Sequence, residues 1–242
     1  MSDTDKVYAD ERPRVVDFVF DERVAAVFAD MIRRSAPGYE AIVALLGVIA
    51  ERFARPNSTV YDLGCALGAS MLSIHARVAD RSIRFVGVDN SAPMLRRCRE
   101  NLTGVIAADR FDLQHRDVRD AEIVDADMVV LNLTLQFLEP ADRLGLLRRI
   151  HAGLNAGGVA VLAEKVRFDD AAEREWQQSL HDQFKAANGY SELEIAQKRA
   201  ALEHVMTLDS ADAHIARLRQ AGFAQAFQWF QAFNFCAFVA LK

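Results

Sequence analysis

Cysteine is scarce and unpatterned in this sequence. Cys65, Cys98 and Cys236 are the three present among 242 residues. None forms a CxxC pair or stands among histidines at a metal-ligand spacing, so a zinc site is not indicated and no bound metal is expected. An odd number of widely separated thiols argues for free cysteines in a reducing compartment. Long apolar runs are missing too. No stretch approaches the ~18 uninterrupted apolar residues of a membrane-spanning helix, and "MSDTDKVYADERPR" at the start lacks the apolar core of a secretory signal. A cytoplasmic protein with no membrane partner is the expectation. Positive charge is not in excess either. Against 34 acidic residues stand 29 lysines and arginines, for a net charge of −5. A protein that grips a nucleic-acid backbone shows a basic face. The short basic clusters here, "LRRCRE" and "LLRRI", lie on amphipathic helical patterns and read as solvated faces. No direct nucleic-acid partner is expected. Repeats and low-complexity tracts are also absent.

What is present suffices for a core. Hydrophobic residues make up 51% and charged residues 26%, which fits one globular domain of this length. Residues 1–20 read as a partly flexible N-terminus. Residues 21–56 hold two helical patterns. "FDERVAAVFADMIRRS" places Val24, Val27, Phe28 and Met31 on one face, and "YEAIVALLGVIAERFA" does the same with Ile42, Leu45, Leu46 and Ile49. Pro37 and Gly38 break the two apart. Strand and helix patterns then alternate. "STVYDL", "IRFVGVD", the weaker "RFDLQHRD", "ADMVVLNLTL" and, after a turn at "NAGG", "VAVLAEKV" read as strands. Such alternation predicts right-handed crossovers and a mostly parallel, doubly wound sheet covered on both faces. Residues 167–207 are polar and helical and read as an insertion. A last helix, "DAHIARLRQAG", precedes the aromatic "AFQWFQAFNFCAFVALK", which predicts a hairpin turning within Gln231–Asn234. The core is thus assigned to 57–166 and 208–242.

In an open parallel sheet, ligands bind beyond the carboxyl ends of the strands. "DLGCALG" sits at the end of the first strand. Gly64 lets the chain turn sharply there, Gly68 lets the next helix pack close, and the unpaired amides opening that helix suit a carboxylate or a phosphate equally. A strand–glycine–helix turn by itself is weak evidence, because the chain must turn somewhere. Ala66 also stands where the dinucleotide fingerprint has its second glycine. The neighbouring strand ends decide. Asp89 ends the second strand, where a carboxylate can accept from both hydroxyls of a ribose. Asp117 follows the third strand and Asn132 ends the fourth. One aspartate at a strand end is usually a cap or turn residue; a polar group at four successive ends is harder to explain that way.

This series resembles the class I S-adenosylmethionine-dependent methyltransferase fold over roughly Ser58–Lys242. The resemblance implies a seven-stranded sheet ending in an antiparallel hairpin. It also implies an acid opening the glycine loop (Asp62), a ribose acid (Asp89), an adenine-side acid (Asp117) and a polar residue after the fourth strand (Asn132). The loop then faces the methionine part of an S-adenosyl ligand rather than a pyrophosphate. The fourth-strand signatures of amino-group or base methylation are missing from "LNLTLQFLEP".

A more specific resemblance spans about Phe18 to Lys242. "FDERVAAVFADMIRRSAPGY", "YDLGCALGAS", "DNSAPMLRRCR", "NLTLQFLEP" and "ANGYSELEIAQKRAALEHVM" resemble the carboxy-S-adenosyl-L-methionine synthase family. What that resemblance implies is a carboxyl transfer. Prephenate loses its carboxyl group to become phenylpyruvate, and the S-methyl carbon of S-adenosylmethionine, a substrate here, captures it. A sulfonium stabilises negative charge on its methyl carbon, aromatisation drives the decarboxylation, and released hydroxide can take the methyl proton, so no protein base is demanded. The resemblance carries Arg199 over as the catalytic cation that holds the new carboxylate, its planar fork suited to two parallel bonds. In the family this arginine reaches across a dimer interface, so a homodimer is expected. Tyr39, Gly64, Cys65, Ala66, Asp89, Asn90, Asp117, Val118 and Asn132 carry over as ligand contacts. Relatives have Ser where Ala66 stands, so one side-chain hydrogen bond is expected to be missing. Lys165, after the fifth strand, is a candidate for the prephenate carboxylates. Cys65 is read as a backbone contact, not a nucleophile, and the six histidines as structural or exposed. By family association the product serves a tRNA-modifying enzyme acting on wobble uridine. A small-molecule methyltransferase and a non-catalytic S-adenosyl-binding module are the alternatives.

Overall fold

The computed structural model describes residues 4–11 and 16–242, apart from the side chain of Asp80. Helix α1 (Glu22–Ser35) starts where the Asp21 carboxylate accepts from the Val24 amide at 3.0 Å, the expected end cap for an unpaired N–H. Val24, Val27 and Met31 form its buried face. Helix α2 (Tyr39–Phe53) follows immediately. Gly38 makes that junction with φ +78°, and a Cβ there would lie 2.5 Å from the Phe230 ring. Both the left-handed backbone and the close ring demand glycine.

Five parallel strands come next: β1 (Thr59–Leu63), β2 (Arg84–Asp89), β3 (Phe111–His115), β4 (Ala126–Asn132) and β5 (Leu154–Lys165). They alternate with α3 (Ala69–Val78), α4 (Ala92–Leu102) and α5 (Pro140–Gly153). After β5 the insertion carries α6 (Ala171–Ala187) and α7 (Glu192–Glu203). Then come α8 (Ala211–Gln220) and the hairpin β6 (Gln225–Ala232) and β7 (Phe235–Leu241). The sheet order is β3-β2-β1-β4-β5-β7-β6, with β7 antiparallel to both neighbours. The seven-stranded, doubly wound sheet expected from the sequence is therefore present. Its central strand β4 is buried from Ala126 to Leu131. Met128 and Val130 join one hydrophobic layer, and Val129 and Leu131 the other. The period of two sends successive side chains to opposite faces, so a strand covered on both sides reads as one apolar run. Chain order reverses between β1 and β4, which opens the crevice for a ligand.

Two expectations need correction. The "NAGG" segment is not a turn ahead of β5 but lies within it. Leu154 pairs with Ala126 and Val159 with Met128, so Asn155–Gly158 form a bulge, with Gly157 at φ +76°. The N-terminus is also less loose than expected over its described part; residues 1–3 and 12–15 of that segment lie outside the described residues. Asp5, Tyr8 and Phe18 are buried. The Asp5 amide donates to Asp30 at 2.9 Å, Tyr190 donates its hydroxyl to the Asp5 carboxylate at 2.5 Å, and the Phe18 amide donates to the Ala201 carbonyl at 3.0 Å. A polar stretch is held down here because each buried polar group finds a partner, which composition cannot reveal.

Candidate active site

The carboxyl ends of β1, β2, β4 and β5 open into a cavity of about 770 Å³ roofed by α1, α6 and α7. Its floor is the loop after β1. The Gly64 and Cys65 amides donate to the Val88 carbonyl at 2.8 and 3.1 Å, which folds the loop back over β2. Gly64 has φ +82°, and a Cβ there would lie 2.4 Å from Thr134 Oγ1. Ala66 follows with φ +44° and Gly68 with φ +82°.

The acids sit on this floor. Asp89 accepts from the Ala66 amide at 2.9 Å and from the Ser91 amide at 2.8 Å. Those bonds hold the glycine loop against β2 and leave lone pairs on a carboxylate for a ligand's hydroxyls. Burial pushes its pKa up, against the pull of the two amides. Asp62 is fully buried, and neither of its oxygens has a hydrogen-bond partner among the described residues. Burial first, then the charge of Asp89, pushes its carboxyl to about 7. A buried carboxyl without a close partner is costly when charged; Asp62 lies beneath the loop, beside Ser70, and is not among the residues that line the cavity. Burial and the Asp62 charge push the Tyr39 phenol well above its usual range, so it remains a donor. The side-chain oxygen of Asn132 is buried and unpartnered as well. Asp117 differs: Arg119 holds both its oxygens, at 2.8–3.0 Å, and also pairs with Asp142 at 2.8 Å.

The far end of the cavity is cationic. Lys165 lies at the end of β5, Lys185 on α6 and Arg199 on α7, and all three line it. Arg199 is half exposed, 53% by side chain, and pairs with Asp182 of α6. Lys185 pairs with the same carboxylate at 3.2 Å. An aromatic cluster also lines the cavity, beside the glycine loop. Phe20 packs edge-on against Phe18, Phe28 and Phe137, with centroids 5.0, 6.1 and 5.5 Å apart. One cavity thus gathers Tyr39, Gly64, Cys65, Ala66, Asp89, Asn90, Asp117, Val118, Asn132 and Arg199.

Comparison with known proteins gives this geometry a family. The profile of a methyltransferase domain matches residues 60–158. The carboxy-S-adenosyl-L-methionine synthase of Salmonella typhimurium is 52% identical over 242 residues, covering 100% of this chain and 98% of that one. The chain belongs to the carboxy-S-adenosyl-L-methionine synthase family. Two solved structures share its fold. A candidate O-methyltransferase from Nostoc punctiforme has a TM-score of 0.66 at 17% identity, over 91% of this chain and 59% of that chain. Human N-acetylserotonin methyltransferase, solved with S-adenosylmethionine, has a TM-score of 0.61 at 14% identity, over 91% and 55%. Likeness at that identity is likeness of fold alone.

For this member of the synthase family, several cavity residues escaped the reading of the sequence. Arg119, two residues after Asp117, carried no signal in that spacing, because its pairing depends on side-chain direction. The aromatic cluster looked like the apolar face of a helix and its approach. Gln136 is fixed from below: Glu164, fully buried, accepts from the Leu135 and Gln136 amides at 2.8 and 2.9 Å. Burial pushes the Glu164 carboxyl to about 8 despite those bonds. Gln136 Oε1 in turn accepts from the Lys165 amide at 2.9 Å. No local pattern announces such a chain of contacts.

Proposed function

We propose that this chain transfers the carboxyl group of prephenate to the S-methyl carbon of S-adenosylmethionine. The products are carboxy-S-adenosylmethionine, phenylpyruvate and water, the water combining the hydroxide that prephenate loses with the methyl proton. The observation that carries the reading is one cavity with Asp89, only partly satisfied by backbone amides, at one end and Lys165, Lys185 and Arg199 at the other. The residues fit an S-adenosyl ligand. Asp89 offers acceptor capacity for ribose hydroxyls, and the Gly64–Ala66 backbone a surface that a Cβ at Gly64 would spoil. When bound, that ligand supplies a sulfonium whose methyl carbon tolerates negative charge. The chain's own groups bind, orient and exclude water. The phenylalanines that line the cavity help to exclude water, while Arg199 offers its fork to a carboxylate.

The same reading extends to the family's context. The product serves a tRNA-modifying enzyme acting on wobble uridine, in the cytoplasm, and the net charge of −5 supports a protein that makes the small molecule rather than handles tRNA. The chain works as a homodimer in which Arg199 reaches the neighbouring subunit's site. Within a single chain, Arg199 lines that chain's own cavity. Mixing active-site variants of opposite type, Arg199→Ala with Asp89→Ala, tests the reach across: partial recovery of activity in mixed dimers supports it, and none rejects it. The reaction itself is tested by mass spectrometry of nucleosides after incubation with S-adenosylmethionine, with and without prephenate. A prephenate-dependent product heavier by one carboxyl group, with phenylpyruvate alongside, is expected. Unchanged S-adenosylmethionine despite confirmed binding would point to a methyltransferase awaiting its acceptor.

A further inference from the structure

The cationic end of the cavity holds more positive charge than the chain neutralises. The charged groups that act on Lys165 are Lys185, Asp182 and Arg199. Asp182 is the one acid among them, already shared by Lys185 at 3.2 Å and by Arg199. Lys198, nearby on α7, does not add to the excess: Asp5 lies 3.5 Å from its ammonium and Ser35 Oγ accepts from it at 2.8 Å. His181 does not add to it either. Its Nε2 lies 2.8 Å from the Ser35 carbonyl, which can only accept, so that nitrogen carries the proton. Its Nδ1 is bare and unpartnered, and burial with the Lys185 and Lys165 charges keeps the ring neutral. Three cations against one carboxylate leave two positive charges over.

We propose that Lys165, Lys185 and one Arg199, supplied by the same chain or across the proposed dimer, form a subsite for a dicarboxylate dianion, one of whose carboxylates is the group transferred. This rests on the function proposed above and adds what that function leaves open, namely which groups recognise the carboxyl donor and by what charge. Lys165 is the group that most needs the ligand. It lies against the cavity, and its ammonium has no hydrogen-bond or ion-pair partner among the described residues. Burial, then the Lys185 charge, holds it down at about 8. A cation buried without a counter-ion is expensive, and a bound carboxylate removes that cost. Arg199, the more exposed of the three, is suited to the carboxylate that moves, because a fork can hold it in both positions. Lys165 then holds the one that stays.

The test is calorimetric titration of prephenate, which has two carboxylates, and phenylpyruvate, which has one, into the protein loaded with S-adenosylhomocysteine. Wild type is expected to bind prephenate at least about tenfold more tightly. Lys165→Gln should erase most of that preference while leaving the S-adenosylhomocysteine affinity within about twofold, and Lys165→Arg should restore part of it. Lys185→Gln is the second variant, should Lys165→Gln fold poorly. Equal binding of the two acids, undetectable binding of prephenate, or a preference that survives both glutamine variants would overturn the subsite. Turnover is read separately. Preferential binding without carboxylated product would sink the proposed reaction and leave the subsite standing.

Discussion

The two ends of the cavity are built in opposite ways. At the acidic end, Asp62 and Asp89 stand on adjacent strands; backbone amides partly satisfy Asp89, and neither oxygen of Asp62 has a partner within hydrogen-bond distance among the described residues. At the other end, cations come from β5, α6 and α7, and one carboxylate serves two of them. Each end therefore carries charge that the chain leaves uncompensated, negative at one and positive at the other. Such opposite imbalances are what a ligand with cationic groups beside a dianionic one would offset, as the proposed reaction requires.

The largest expected effect breaks the cationic end. Arg199→Ala should lower formation of the carboxylated product on the order of 1,000-fold, the scale of losing a charged bidentate partner. S-adenosylmethionine binding should remain within a few-fold. Retained turnover would remove Arg199 from the site. At the acidic end, Asp89→Ala removes an acceptor for ribose and frees the Ala66 and Ser91 amides. Two charge-assisted bonds lost imply roughly 100-fold weaker S-adenosylmethionine binding by calorimetry. Unchanged affinity would sink the ribose assignment.

A third prediction sharpens the contrast, because the two ends titrate with opposite sign. Asp62 is raised to about 7 from an ordinary 3.8. The native form holds that proton, so its contribution to stability is complete below pH 3.8 and lost as pH rises through about 7. Lys165 is lowered to about 8 from 10.5. Its contribution is complete above pH 10.5 and lost as pH falls through about 8. Relative to wild type without ligand, Asp62→Asn should thus gain stability from pH 5 to 8, and Lys165→Gln from pH 10 to 7. Melting curves across that range should show differences of roughly 5 °C with opposite slopes. Parallel slopes would mean that the two ends are not electrostatic opposites. The smallest effect concerns Ala66, whose amide already donates to Asp89. Because backbone carries that contact, Ala66→Ser should change S-adenosylmethionine affinity less than about fivefold, near the scale of one neutral hydrogen bond. A larger gain would show that the methyl side chain costs this protein a ligand contact.

How much of this was legible in the residues follows the same divide. Gly64, Asp89 and Asn132 could be located because each closes or directly follows a strand whose own pattern is strong, whereas Asp117 follows the weak third strand. Asp117 was legible as a position but not as a partner, since its pairing with Arg119 depends on side-chain direction. Weak alternation in "RFDLQHRD" reflects a strand at the sheet's edge, β3, which is only partly buried. The N-terminal strap was misread because Asp5 and Tyr8 are ordinary surface residue types until Asp30, Tyr190 and Gln197 meet them.

The order of strands and helices, the glycine loop and the row of polar strand ends were determined by the sequence itself. The physical reason is local: periodicity sets each element, and right-handed crossovers bring every parallel strand's carboxyl end to one edge of the sheet. Residues far apart in the chain therefore converge without any knowledge of packing. The cationic end was legible in part: Arg199 was singled out by resemblance and Lys165 by its place after the fifth strand, while Lys185, Asp182 and their pairing needed the tertiary structure. Lys165, Lys185, Arg199 and Asp182 meet because α6 and α7 pack on each other and line one cavity with the end of β5. Their uncompensated charge is a property of that burial, since the same lysines on a solvated helix would be unremarked surface cations.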